Sequence, residues 1–167
     1  MRNLEVKVAI LDKKTTLAAI QGLGAVYQCT MRQQDYYFSV GARKKKLRVI
    51  DDKEYQLVTY FRIETQGRKD SQYTIEKLSE KDAKALMECE KIVQIVDKTR
   101  ELWIYEHTRI HVDHVEGLGD FLELETVMTD LSLKEGEKEF AAVAEWLEID
   151  LAGSIAASYS DMVPALD

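Results

Sequence analysis

Residues 121–125 read Phe121-Leu122-Glu123-Leu124-Glu125 and follow a glycine-bearing stretch, Glu116-Gly117-Leu118-Gly119-Asp120. Successive side chains of a β-strand point to opposite faces, so Leu122 and Leu124 share one face and Glu123 and Glu125 the other. The alternation predicts a strand, with the glycines forming a tight turn before it. Carboxylates at i and i+2 stand roughly 6.5–7 Å apart along a strand, from where both can reach one hard cation, directly or through water. A half-exposed strand with an acidic outer face is the plainer reading. What the other strands carry on their polar faces decides between the two.

The same period recurs along the chain. Leu4, Val6, Val8 and Ile10 alternate with Asn3, Glu5, Lys7 and Ala9. Further strands are predicted over 35–40, 47–50, 56–62, 92–96, 102–105 and 109–113, all rich in β-branched or aromatic residues. Helices are predicted over 12–23, opening on a capping Asp12 and ending near Gly24, and over 79–90, opening on Ser79-Glu80-Lys81-Asp82. A third, over 134–147, places Phe140, Val143, Ala144 and Leu147 on one stripe, and a short one is expected over 154–162. The fold class is α+β, built on an antiparallel sheet of roughly eight strands.

At 167 residues, 46% hydrophobic and 32% charged, the chain suits a single domain over residues 1–167. A net charge of −7 argues against a general nucleic-acid surface. Cys29 and Cys89 lie far apart, which speaks against a disulfide framework or a zinc ribbon. The N-terminal stretch lacks the apolar core of a signal peptide, and no apolar run reaches the ~18 residues of a membrane span. A cytoplasmic protein that engages neither membrane nor nucleic acid is expected.

The polar faces are charged in organised groups. By parity one face collects Lys7, Lys44, Lys46, Arg48, Arg62, Lys98, Arg100 and Arg109, together with Glu5, Asp113, Glu123 and Glu125. A sheet curled around that face would hold a positive interior within an acidic protein. A polyphosphate with its divalent metal fits such an interior, because guanidinium and ammonium groups bind phosphate oxygens and carboxylates hold the metal.

At this point the residues resemble a family, the CYTH domain or triphosphate tunnel metalloenzymes, which includes class IV adenylyl cyclases and thiamine triphosphatases. The likeness runs from the opening Arg2-Asn3-Leu4-Glu5-Val6-Lys7 through Gln33, Asp35, Tyr37 and Phe38, then Lys46-Leu47-Arg48, then Leu57, Tyr60 and Arg62, then Lys98 and Arg100. Its most specific piece is residues 109–125, RIHVDHVEGLGDFLELE, and it extends to Ser158-Tyr159. The resemblance implies an eight-stranded antiparallel β-barrel, a tunnel with helices packed outside. It implies Mg²⁺ or Mn²⁺ held by Glu5, Asp113, Glu123 and Glu125, and a triphosphate held by Lys7, Lys46, Arg48, Arg62, Lys98, Arg100 and Arg109. The short form and the opening motif look closest to the class IV adenylyl cyclase-like branch. One position departs: where the family commonly carries E-x-E-x-K, this chain reads Asn3, Glu5, Lys7. Asparagine offers a carbonyl oxygen but no charge.

The expected partner is therefore an organic triphosphate or tripolyphosphate, and a homodimer is compatible with the sequence. ATP cyclisation to cyclic AMP and pyrophosphate is the first expectation, triphosphate hydrolysis the second, and non-catalytic binding of polyphosphorylated metabolites the third. No sequence feature picks out a general base. A zinc site at His107, His111 and His114 is disfavoured, since on a strand His114 points away from the other two. The glycines of 116–120 fit neither a P-loop nor a dinucleotide fingerprint. The run Arg43-Lys44-Lys45-Lys46 reads equally as a solvated loop or as phosphate contacts. Tyr36, Tyr37 and Phe38 read as core at least as readily as base contacts.

Overall fold

The computed structural model describes residues 2–39, 43–65 and 68–167; the side chains of residues 2, 43, 62–65 and 68–71 lie outside the described residues. Eight strands, β1 (Arg2–Ala9), β2 (Val26–Ser39), β3 (Arg43–Ile50), β4 (Glu54–Thr65), β5 (Arg68–Leu78), β6 (Gln94–Tyr105), β7 (Thr108–Val115) and β8 (Gly119–Val127), form a closed barrel in the order β1-β5-β4-β3-β2-β6-β7-β8. All neighbours are antiparallel. Closure rests on β1, which pairs with β8 from Asn3–Val127 to Ala9–Phe121 and with β5 from Arg2–Gln72 to Glu5–Lys69.

The expected eight strands are found through two compensating differences. Gln94–Tyr105 is one strand where the hydrophobic pattern predicts two, because Lys98 and Arg100 point inward and interrupt the apolar signal. Strand β5 has no counterpart in the prediction. Its outward residues Gln72, Thr74 and Glu76 are exposed, and its apolar pair Tyr73 and Ile75 faces the cavity, so no apolar stripe meets a helix along it there. Strand β2 likewise starts far earlier than expected, since residues 26–28 are exposed and carry no amphipathic signal.

The apolar core lies mainly outside the barrel wall. Leu122 and Leu124 of β8 face outward with Leu4, Val6, Ile110 and Val112, and pack against α1 (Lys13–Leu23) and α3 (Leu133–Trp146) through Ile20, Phe140, Val143 and Ala144. A second cluster, Leu47, Val49 and Ala83 with Tyr36, Phe38 and Tyr55, seats α2 (Glu80–Cys89) on the other side of the barrel. Burying one Leu-sized side chain contributes ~1.5–3 kcal/mol, so these outer contacts offset a lumen filled with charge.

The helix ends follow the local chemistry. Asp12 accepts from the N–H groups of Lys14 and Thr15, and Gly24, at φ 90°, closes α1 in the left-handed region. Ser79 caps α2, and Ser132 with Glu135 forms a full capping box on α3. Gly117 and Gly119, at φ 80° and 108°, make the turn into β8. The last helix, α4 (Tyr159–Met162), is shorter than expected because the chain before it is tied down otherwise: the Ile155 N–H donates to the Lys7 carbonyl at 2.8 Å. With α4 in place, Tyr159 packs among the inward-facing Tyr37, Val96, Val115 and Phe121 and lines the cavity.

Candidate active site

Barrel closure turns the charged faces toward one cavity of about 320 Å³. Glu5 and Lys7 of β1, Lys46 and Arg48 of β3, Lys98 and Arg100 of β6, Arg109 of β7, and Glu123 and Glu125 of β8 all line it. The strand registers bring them together: Glu5 pairs with Glu125, Lys7 with Glu123 and Arg109 with Glu125. The Arg62 side chain, also expected here, lies outside the described residues.

The cationic side is organised by Asp35, a fully buried residue that the sequence reading does not include among the site residues. Arg48 donates to its two oxygens at 2.8 and 2.9 Å, Lys46 donates at 2.9 Å and Lys98 approaches at 3.4 Å. Burial alone would raise the Asp35 carboxyl, but Arg48, Lys46 and Lys98 together hold it well below the usual range. Burial pulls the Lys98 ammonium down to about 8 against the attraction of Asp35, with Arg100 and Arg48 adding to the fall. Lys46 is lowered as well, by burial and then by Arg48.

Asp113 takes a different part from the expected one. It is fully buried, and both of its oxygens are committed: Arg100 donates through Nε at 2.8 Å and Nη2 at 2.7 Å, and the Tyr159 hydroxyl donates at 2.8 Å. It does not line the cavity. Its burial would raise it, but Arg100 holds the carboxyl below its ordinary range, so it stands as the fixed counter-charge of an arginine rather than an open metal ligand. Burial and the Asp113 charge push the Tyr159 phenol up, which keeps it a donor.

Among the described residues, the carboxylates that line the cavity are Glu5, Glu123 and Glu125. Arg100 comes within 3.9 Å of Glu123, and Arg109 within 3.6 Å of Glu125. Glu123 is held down to about 2: burial opposes this, but the charges of Arg100 and Lys7 prevail. Glu125 is raised by burial, with Arg109 opposing and Glu123 adding to the rise. Asn3 sits fully buried beside it, and its amide nitrogen donates to Glu125 and, at 3.2 Å, to the Tyr73 hydroxyl. Among the described residues, the buried Asn3 carbonyl oxygen has no hydrogen-bond partner. An orphan oxygen beside carboxylates fits a hard cation, which takes oxygen ligands of this kind.

Not every residue of the parity set lines the cavity. Lys44 is turned to the C-terminal segment, where it donates to Ser158, to Ser160 at 2.9 Å and to Asp161 at 3.2 Å. The basic run is thus neither a loop nor uniformly a phosphate site: it is strand β3, with Lys46 inward and Lys45 outward against Glu90. Tyr37 lines the cavity and accepts from Lys46 at 3.3 Å, whereas Tyr36 and Phe38 pack outside under α2. The three histidines separate as a strand requires. His111 lines the lumen and, held down to about 3 by burial and then by Arg100, is neutral; His114 is exposed beside Asp120. His107 stands at the β6–β7 turn, where Glu139 accepts from both its backbone and its ring, and the neighbouring Glu106 completes a group of ligand-type atoms that does not line the cavity.

Asp35 and Tyr159 lie within the motifs quoted above, so their presence was visible in the sequence; that Asp35 would take Arg48, Lys46 and Lys98 as partners, and Tyr159 Asp113, was not. No helix among the described residues is long and apolar enough to cross a membrane.

The chain is 29% identical to a protein of Methanocaldococcus jannaschii named "Putative adenylate cyclase", over 97% of this chain and 98% of that one. Its fold is similar to that of the PH1012 protein from Pyrococcus horikoshii, with a TM-score of 0.84 at 20% identity, covering 96% of this chain and 99% of that one. It is also similar to a Hippeastrum protein, described as an adenylyl cyclase candidate with a dominant triphosphatase activity, with a TM-score of 0.66 at 14% identity over 93% and 92% of the two chains. The sequence model of the CYTH domain matches residues 1–159, and with the tunnel in place around those residues the chain belongs to the CYTH domain family.

Proposed function

We propose that the protein is a metal-dependent enzyme acting on an organic triphosphate, with the conversion of ATP to cyclic AMP and pyrophosphate as its reaction. The observation that carries this reading is the division of one lumen into a cation wall, Lys46, Arg48, Lys98 and Arg100, and a carboxylate set, Glu5, Glu123 and Glu125. The naming of the Methanocaldococcus relative favours cyclisation.

In this reading Lys46, Arg48, Lys98, Arg100, Lys7 and Arg109 bind the phosphate oxygens, and Arg62, whose side chain lies outside the described residues, is proposed with them. The cations come pre-oriented by Asp35 and Asp113, so little side-chain entropy is lost when the anion arrives. Glu5, Glu123 and Glu125, with the Asn3 carbonyl, are the residues that would hold Mg²⁺ or Mn²⁺. Bound there, such an ion would neutralise phosphate charge and lower the pKa of the attacking hydroxyl. His111, neutral and weakly basic, adds little as a proton acceptor. The chain's own work is in-line positioning and charge neutralisation, which is what phosphoryl and nucleotidyl transfer chiefly require.

Triphosphate hydrolysis is the second reading, supported by the activity described for the Hippeastrum protein that shares this fold. Incubation with ATP, tripolyphosphate and thiamine triphosphate, each with Mg²⁺ or Mn²⁺, separates the two. Cyclic AMP with pyrophosphate identifies the cyclase, and orthophosphate the hydrolase. Tight binding without turnover would reject both in favour of a non-catalytic binder.

A further inference from the structure

Resting on the triphosphate reading, we propose that Tyr159, delivered by the C-terminal segment, is a positioning residue that fixes Arg100 through Asp113 and gives Lys7 and Lys98 a shared aromatic ring to lie against. Arg100 comes within 3.9 Å of Glu123 and so stands at the junction of the cation wall and the carboxylate set. Its guanidinium plane is set by Asp113, and the free orientation of Asp113 is in turn removed by the Tyr159 hydroxyl, 2.8 Å away. A carboxylate with three donors from two partners has one orientation available; with Arg100 alone it can rotate with the arginine.

The ring does separate work. Lys7 Nζ lies 4.0 Å and Lys98 Nζ 5.4 Å from its centroid, so two ammonium groups share one aromatic ring. Phe121 holds that ring edge-on, at 5.2 Å and 61°. Lys7 is further fixed by donating to the Ala157 carbonyl at 3.0 Å, a second contact from the same segment. Three phosphate-binding candidates from β1 and β6 thus depend on a residue that is remote in sequence and joins the barrel only when α4 docks. Lys44, bound to Ser158, Ser160 and Asp161, is the clamp that holds the segment down.

The test is a cycle on the full chain, read by calorimetric titration with tripolyphosphate as the probe. Tyr159→Phe keeps the ring and the fold and removes only the hydroxyl. It is expected to weaken binding roughly 3- to 10-fold, the scale of one hydrogen bond to a charged group, with the thermal midpoint little changed. In combination with Arg100→Lys the loss is expected to be no larger than with Arg100→Lys alone, since the hydroxyl acts through Arg100. Tyr159→Leu, which also removes the ring beside Lys7 and Lys98, is expected to bind more weakly than Tyr159→Phe. Wild-type affinity in Tyr159→Phe, or losses that add in the double variant, would overturn the proposal while leaving the triphosphate reading standing. A wild-type protein that binds neither tripolyphosphate nor ATP would overturn both.

Discussion

Asp35 receives Arg48 through both of its oxygens, at 2.8 and 2.9 Å, and presents the second oxygen to Lys46 and Lys98 as well. One buried carboxylate therefore keeps three cations from three positions on β3 and β6 in a single cluster before any anion is present. The arrangement is a stand-in for part of the charge a phosphate chain would bring.

Asp35→Asn is accordingly expected to destabilise the protein by about 3–5 kcal/mol, since it leaves buried cations uncompensated. Saturating tripolyphosphate should narrow the gap to wild type, because the ligand supplies the missing charge and stabilises the folded state in proportion to its affinity. Urea denaturation with and without tripolyphosphate measures both. A variant as stable as wild type would show that the cluster does not depend on Asp35.

Glu125→Ala is expected to lower Mg²⁺-dependent turnover at least ~100-fold, as the loss of several kcal/mol of charge stabilisation implies. The far-ultraviolet circular dichroism should match wild type, because Glu125 faces the cavity and its outward neighbour Leu124 holds the packing. Full activity in this variant would remove Glu125 from the metal set.

Asn3→Asp restores a carboxylate where the family commonly has one. Without metal it places a second acid against Glu125 and forfeits the amide donor, so a lower thermal midpoint is expected, by ~2–4 °C for each kcal/mol lost. With Mn²⁺ the midpoint should rise by more in Asn3→Asp than in wild type. An equal rise in both proteins would mean that position 3 does not face the ion.

Lys98 gives the binding reaction a pH dependence. It faces Asp35, Arg100, Arg48, Asp113 and the Tyr159 ring, and in the folded protein it loses its proton at about 8. Its unperturbed value is 10.5, so the free protein carries a neutral Lys98 above pH 8. A bound polyanion favours the charged form and raises that value. Below pH 8 no proton is needed; between pH 8 and the raised value, binding takes one up, and affinity falls as pH rises through 8. Titration with tripolyphosphate at pH 8.5–9 in buffers of different ionisation enthalpy should reveal proton uptake, with Lys46, also lowered, contributing in the same direction. Uptake that persists unchanged in Lys98→Met would assign the proton elsewhere.

The alternation in Phe121–Glu125, and in Asn3–Val8, was legible because one face of each strand meets helices and the other meets charge. Where most of a strand's outer face is polar and exposed, as in β5, or its first residues are exposed, as in β2, the same logic has little to read. Strand β6 was split by the very residues, Lys98 and Arg100, that make it part of the site.

What the sequence determined by itself is which face each side chain takes, because a period of two is a local property of the backbone. It therefore placed Glu5, Lys7, Lys46, Arg48, Lys98, Arg100, Arg109, Glu123 and Glu125 on one surface. It could not separate Asp113 from Glu123, which share parity and charge. That distinction belongs to the tertiary structure: pairing of β6 with β7 sets Arg100 opposite Asp113, and docking of α4 brings Tyr159 onto the same carboxylate. Ion pairs inside a closed barrel are decided by which residues face each other across strands and how fully water is excluded, and neither quantity exists before the barrel closes.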